Sequence, residues 1–556
     1  MRYLITTCVL FLLVGGSGAS GATGATGATG AAGAAPVVEL RVPPFPEDLD
    51  LRSVERLYKS AAYRVEVRQH AANANANANA NANFNAEAEV FKQTFVFETR
   101  NDWVMHDYFN KNPERRRDVL SPAERVGHTA DLPAHVNAAK ADLQTASFTQ
   151  FSFVNTAVEV RITLLGADAR AQHVTVRPQR FAVPARISAD GRVISFTLDR
   201  PRKVSVEIND RLNPLFVFAD APDVPDTAAT HYFGPGLHRI PGSGTLQVRS
   251  GERVYIAAGA IVEGRLRLDR GSSNITIRGR GLLSGGEWPE LQVKPAWQMQ
   301  MAAIWADSSH HLLIEGITLV QSTTWQVAIE DFSPTGDATH HNQYRNLKTV
   351  SWNGCTDGIW VTGNNNVVDD VFIFNNDDAF VSKGGRNTTI SNAVFWGGTW
   401  GRLMLFHNIY AHTPPVENLL LENIDVIGKE GTPHFIYLEG WGTPTRRVTK
   451  PMRNVSFRNI VFEERRRPGN SANNDYQKAR LIDFDTATVA GAIENLVFDN
   501  ISLDQKLADE GALLGTALSP IKGVTLRGIT AGGEPILRRE RLPIRFNEHV
   551  SGIRFE

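Results

Sequence analysis

Two patterns of apolar and polar positions divide the chain. From about Tyr63 to Phe218, apolar and polar residues alternate in short runs separated by turn residues. The runs are Tyr63–Gln69, Val90–Thr99, Phe148–Val154, Val158–Leu164, His173–Arg177, Arg192–Leu198 and Lys203–Ile208. Successive side chains of a strand point to opposite faces, so each run predicts a strand with one buried face. Ser188-Ala189-Asp190-Gly191 reads as a hairpin turn. Strands at this spacing predict a β-sandwich over 57–222.

From His231 onward a different pattern takes over. A polar residue, two variable residues, an apolar residue and one more variable residue lead to Asn, Gly or Asp. It starts at Asn274, His311, His341, Asn365, Asn387, Asn418, Asn454, Asn495 and Gly523, with 22 to 41 residues between starts. A short constant core with loops of varying length argues for a solenoid. The core is too short for a helix pair and has apolar residues at period two, which predicts a parallel β-helix over 223–556. Ile277, Ile314, Val368, Ile390, Leu421, Phe457, Phe498 and Leu526 are expected to stack inward. The trailing Asn, Gly or Asp suits a left-handed turn residue. The fold class expected is therefore all-β, a sandwich followed by a solenoid.

Composition changes this picture only at the N-terminus. Arg2, the apolar run Leu4–Val14 and the small residues to Ser20 predict a signal peptide over 1–19, cleaved near Ala19, and hence a secreted, extracellular protein. Residues 20–56, opening with a Gly/Ala/Thr tract, are expected to form a flexible linker. Cleavage removes Cys8 and leaves Cys355 alone, so no intrachain disulfide is expected. Asn73–Asn85, alternating Asn and Ala, reads as a disordered insert between two strands. A net charge of -1 argues against a dedicated nucleic-acid binder.

The chemistry concentrates between Trp352 and Lys383. Asp357 lies eight residues before the Asn365 repeat, and Asp377 and Asp378 lie ten and nine before the Asn387 repeat. Coils rise by roughly 4.8 Å, so nearly equal phase predicts one carboxylate cluster on adjacent coils. Neighbouring strand residues point apart, so Asp377 and Asp378 can share a site only at a bend or a strand end. Clustered carboxylates hold a proton at mild pH and suit glycosidic hydrolysis. Left unclustered, they are acidic turns. Trp325, Trp352, Trp360, Trp396 and Trp400 flank them as candidate sugar-stacking faces or core. Lys383 and Arg402 are candidate substrate contacts or structural cations. Glu439 either reaches the groove from a later coil or pairs with an arginine.

Thr356-Asp357-Gly358 followed by Asp377-Asp378, with the entry Tyr255–Val262 leading to Gly279–Gly285, resembles the right-handed β-helix glycoside hydrolases. The two families are that of dextranase and isopullulanase (family 49) and that of the polygalacturonases (family 28). The resemblance covers about residues 231 to 530, and a sandwich ahead of the helix is usual in the dextranase family. It implies that Asp377 is the general acid, that Asp357 and Asp378 activate water, and that the anomeric configuration inverts without metal or cofactor. The partner implied is a polysaccharide. Where polygalacturonases carry Gly-His-Gly, this chain reads Gly398-Thr399-Trp400-Gly401-Arg402. Their uronate-gripping Arg-Ile-Lys has only Arg446–Lys450 as a weak counterpart. Both departures favour a neutral, dextran-like glucan over pectin. A polysaccharide lyase and a non-catalytic glycan-binding protein are the competing classes.

Overall fold

A computed structural model describes residues 39–46, 48–51, 54, 57–69, 90–100, 145–211, 213–285, 302–352, 356–397, 401–407, 413–429, 434–439, 450–463, 480–486, 491–503, 511–541 and 544–556. The expected signal peptide, the Asn/Ala insert and Cys355 lie outside these residues. Among them the strands form four sheets, of seven, five, nineteen and eleven strands.

The first two sheets come from residues 39–220 and enclose one apolar cluster, including Val65, Val160, Phe153, Val206 and Val217. The expected runs reappear as Tyr63–Gln69, Val96–Arg100, Thr145–Val154, Val158–Leu164, Val174–Arg177, Val193–Leu198 and Lys203–Ile208. Part of the expected linker differs. Glu39–Arg41 pairs antiparallel with Ser152–Val154, and Leu40, Leu51 and Val54 are buried. Their apolar anchors are spaced among prolines and acids, which hides the alternation. Leu215–Asp220 is a further strand, lying parallel to Thr145–Val154. Its Leu215, Val217 and Ala219 face the cluster just described, whereas Phe216 and Phe218 face the solenoid. A strand buried on both faces reads as a continuous apolar run.

The nineteen- and eleven-stranded sheets form a parallel β-helix. Successive coils pair in register, with Ile277 beside Ile314, then Tyr344, Val368, Ile390, Leu421, Phe457, Phe498 and Leu526. These side chains are all in the solenoid core and at most 1% exposed. Each coil bends at its trailing repeat residue, which has positive φ in every repeat, from Gly279 to Gly528. The leading residue has positive φ as well, between 54° at Asn454 and 69° at Gly523. Asparagine tolerates this region better than other side-chain-bearing residues. Stacking then brings the amides together. Asn387, Asn418, Asn454 and Asn495 each donate from Nδ2 to the asparagine one coil earlier, at 2.8–3.0 Å.

The seven-stranded sheet packs its second face on the solenoid. Phe97, Phe148, Phe216 and Phe218 meet Trp352, Phe372, Phe374 and Trp396 in one cluster. Trp352 and Trp396 are each 1% exposed, so they are interface core and not sugar-stacking faces.

Candidate active site

Asp357 precedes the short strand Ile359–Trp360. Asp377 and Asp378 occupy the gap between the strands Val367–Asn375 and Phe380–Ser382. The doublet thus sits at a strand end, where alternation no longer separates the two side chains. Backbone bonds stack the coils here: Gln326 N donates to Asp357 O, Gly358 N to Asp378 O, and Ala379 N to Arg402 O. Asp357, Asp378 and Arg402 therefore form a column on three successive coils. A Cβ at position 358 would stand 2.5 Å from Ala379 O, so glycine is required for this close approach.

Side-chain amides and a hydroxyl clasp the two acidic turns together. Asn375 Nδ2 donates to Thr356 O at 2.7 Å and to Asp378 O at 3.1 Å, and Asn376 N donates to Thr356 Oγ1 at 3.1 Å. Asn376 Nδ2 also donates to Trp352 O. Asp378 N donates to Asp377 Oδ1 at 3.0 Å, which turns the Asp377 carboxylate back over the doublet. One oxygen from each of the three carboxylates lies within 4.8 Å of the others.

The three environments are unlike. Both oxygens of Asp378 accept from Arg402 Nη1, at 3.2 and 3.1 Å, and Oδ1 also accepts from Arg402 N at 2.8 Å. Asp357 accepts from Trp360 Nε1 at 2.8 Å. Burial, and then the charge of Asp378, push the Asp357 carboxyl well above the usual carboxylate range. Asp357 and Asp378 are buried, while Asp377 is partly exposed. One group is therefore tied to a cation, one is pushed toward its protonated form, and one is partly exposed.

Several side chains expected at the substrate have other occupations. Trp360 is 2% exposed, so it supports Asp357 and offers no open ring face. Lys383 is buried, with Nζ 2.5 Å from Glu330 Oε1 and 3.8 Å from the Trp360 ring centroid. Its charge is used inside the protein and not on a sugar. Arg402 likewise holds Asp378. The side chain of Glu439 and the whole of Trp400 lie outside the described residues, as do Arg446, Arg447, Val448 and Thr449.

Sequence reasoning missed Glu330 as the Lys383 partner. Strand register carried the signal, because Glu330 follows Val327 by three residues as Lys383 follows Phe380. It also passed over Trp305 and Tyr437. With Trp325 they form a partly buried aromatic group around Trp360, Val381 and Leu405 on the outer face of the eleven-stranded sheet. The Trp325 and Trp360 ring centroids are 4.1 Å apart.

Three carboxylates at this spacing have the reach to hold a divalent cation. Here, however, Arg402 covers both oxygens of Asp378 and supplies the positive charge such an ion would bring.

No protein-family model matches the chain, and no curated protein matches it in sequence. Among solved structures it is similar to Dex49A from Penicillium minioluteum, at 16% identity and a TM-score of 0.65. That match covers 92% of this chain and 96% of the other. The chain has the fold of the right-handed β-helix glycoside hydrolases. A family 28 exopolygalacturonase from Yersinia enterocolitica aligns at 12% identity and a TM-score of 0.30, covering 71% and 96% of the two chains. A polygalacturonase from Erwinia carotovora ssp. carotovora aligns at 15% and 0.34, covering 54% and 85%.

Proposed function

We propose that this protein is a secreted polysaccharide hydrolase that cleaves O-glycosidic bonds with inversion and acts on a neutral, dextran-like glucan. The observation that carries this reading is the cluster itself: three carboxylates within 4.8 Å, in three different environments, beside an outward-facing aromatic group. Protonation of the leaving oxygen and activation of water need carboxyl groups in opposite charge states. A neutral substrate is supported by the engagement of Lys383 and Arg402 with Glu330 and Asp378. The likeness to Dex49A spans both parts of the chain and favours the same substrate class.

Asp377 is assigned as the acid, since it is the member of the trio open to an arriving glycosidic oxygen. Asp357 and Asp378 hold the attacking water. Two oxygens that each bond one water at about 2.8 Å stand about 4.6 Å apart, which fits the cluster. In the two-carboxylate scheme, inverting enzymes space their groups about 6.5–9.5 Å apart and retaining ones about 5–5.5 Å. Spacing alone therefore points to retention. Inversion is favoured because Asp378 is tied at both oxygens and Asp357 is buried, so neither is presented as a free nucleophile. In the resting site the shared proton sits on Asp357 and passes to Asp377 as substrate covers it.

The raised carboxyl of Asp357 supports a second assignment, with Asp357 itself as the acid. Asp377→Asn and Asp357→Asn separate the two. The variant lacking the acid loses about 10²–10⁴-fold in turnover on a polysaccharide. It recovers much of that on a glycoside with a nitrophenyl leaving group, which needs no proton. A panel of dextran, pullulan, polygalacturonate and rhamnogalacturonan, with the first-formed anomer read by NMR, tests substrate and stereochemistry together. Wild-type turnover by Asp377→Asn on every glycan would remove it as the acid.

A further inference from the structure

Two coils of the solenoid carry histidine pairs, His310-His311 and His340-His341, where the adjoining coils carry Ser273-Asn274 and Asn364-Asn365. Parallel bridges run from Ser273 to His310, to His340, to Asn364, so the pairs stand in the same place on successive coils. His311 and His341 have φ of 55° and 56°, the left-handed angle of Asn274 and Asn365. An imidazole has no amide to extend the asparagine ladder. Instead the rings stack across coils, His310 on His340 at 4.5 Å and His311 on His341 at 5.0 Å. Within each pair Nδ1 faces Nδ1, at 2.8 and 2.9 Å. One ring nitrogen from each of His310, His311 and His340 lies within 4.8 Å of the other two.

We propose that this two-by-two array of imidazoles is a transition-metal site, taking one divalent ion of the zinc, nickel or copper class across two coils. Imidazole nitrogen suits these ions and not calcium or magnesium, which take oxygen ligands. A tetrahedral zinc with nitrogens at about 2.0–2.1 Å holds them about 3.3–3.4 Å apart, so the His310–His311 pair opens by about half an ångström from 2.8 Å, and a ring nitrogen of His340 closes in from its place within 4.8 Å. Metal binding requires neutral imidazole. The ion ties two coils together and has no part in the proposed hydrolysis.

The test uses tag-free full-length protein, stripped with chelator and titrated calorimetrically with zinc, then nickel. A fourfold variant, His310→Ser, His311→Asn, His340→Asn and His341→Asn, gives these coils the residues their neighbours already use and should keep the fold. A second variant, Asp357→Asn, Asp377→Asn and Asp378→Asn, removes the other cluster among the described residues able to attract a cation. One zinc per chain is expected in the wild type and in the carboxylate variant, each with a raised thermal midpoint. Affinity in the histidine-replaced chain should fall by about tenfold or more, since even supporting residues around metal ligands are worth that much. If the fourfold variant does not fold, His311→Asn with His341→Asn, at the two exposed positions, must show the same weakening. Unchanged zinc affinity after histidine replacement, or binding that disappears with the carboxylates, overturns the proposal.

Discussion

Asp357 is pulled in opposite directions. Burial and the charge of Asp378 hold its proton on, while the Trp360 N–H, Lys383 and Arg402 favour its release. Trp360→Phe removes a donor that stabilises the ionised form and so raises the Asp357 carboxyl further. The alkaline limb of the kcat/KM profile should therefore move to higher pH, and a shift to lower pH would contradict this role. The same raised carboxyl has a consequence for stability. Its ordinary value is near 4, and it lies higher in the folded protein. Its contribution is present in full below about pH 4 and is lost as pH rises through the folded value. Asp357→Asn should match the wild type near pH 4 and exceed it at neutral pH by on the order of 2 kcal/mol, read from unfolding midpoints across pH. That such acids meet was legible in their phase relative to the repeat. That Trp360 and Lys383 support them, and do not touch sugar, was not. Residue type marks an aromatic ring or a cation, but only packing decides whether it is open to solvent.

At the scale of the coil, the repeat is a device for placing left-handed residues. Its trailing residue marks the bend in each coil, asparagines at both the leading and the trailing position form ladders, and both positions have positive φ throughout. The trailing position was readable from its Asn, Gly or Asp. The ladder was not, because stacked amides show only when coils are superimposed. Asn418 sits mid-ladder, donating to Asn387 and accepting from Asn454 at 2.9 Å each. Asn418→Gly keeps the angle and loses the amide, whereas Asn418→Val loses both. The valine variant should be destabilised by about 2–3 kcal/mol, combining left-handed strain with lost hydrogen bonds, and the glycine variant by about 1 kcal/mol. Equal denaturant midpoints for the two would show that the angle contributes nothing. The N-terminal strands were legible for a different reason, since one-sided burial writes itself as alternation. Leu215–Asp220 escaped because both of its faces are covered.

The described residues are layered, and the seven-stranded sheet joins the five-stranded sheet to the coils that carry the three aspartates. Trp352, five residues before Asp357, donates from Nε1 to Thr99 Oγ1 at 3.0 Å, and its carbonyl accepts from Asn376, next to Asp377. The same interface holds a buried ion pair. Lys348 Nζ lies 2.7 Å from Asp220 Oδ2 and 2.6 Å from Gly316 O, with the lysine side chain fully buried. Burial pushes the Lys348 ammonium down to about 8, with Asp220 partly offsetting it, so the pair is charged at neutral pH. Burial alone would raise the Asp220 carboxyl, but Lys348, Lys203 and Arg280 outweigh it and hold it low. Removing one member of such a pair strands the other, at a cost of about 3–5 kcal/mol, whereas replacing both with groups of similar volume is close to neutral. Lys348→Met should therefore lower the urea midpoint strongly, and Asp220→Asn added to it should restore most of the loss. Because the pair joins the seven-stranded sheet to the solenoid, Lys348→Met should also lower turnover at temperatures where the wild type is intact, as the Trp352 segment loosens. A Lys348→Met chain with the wild-type midpoint and wild-type turnover would mean that the two layers stand without this bond.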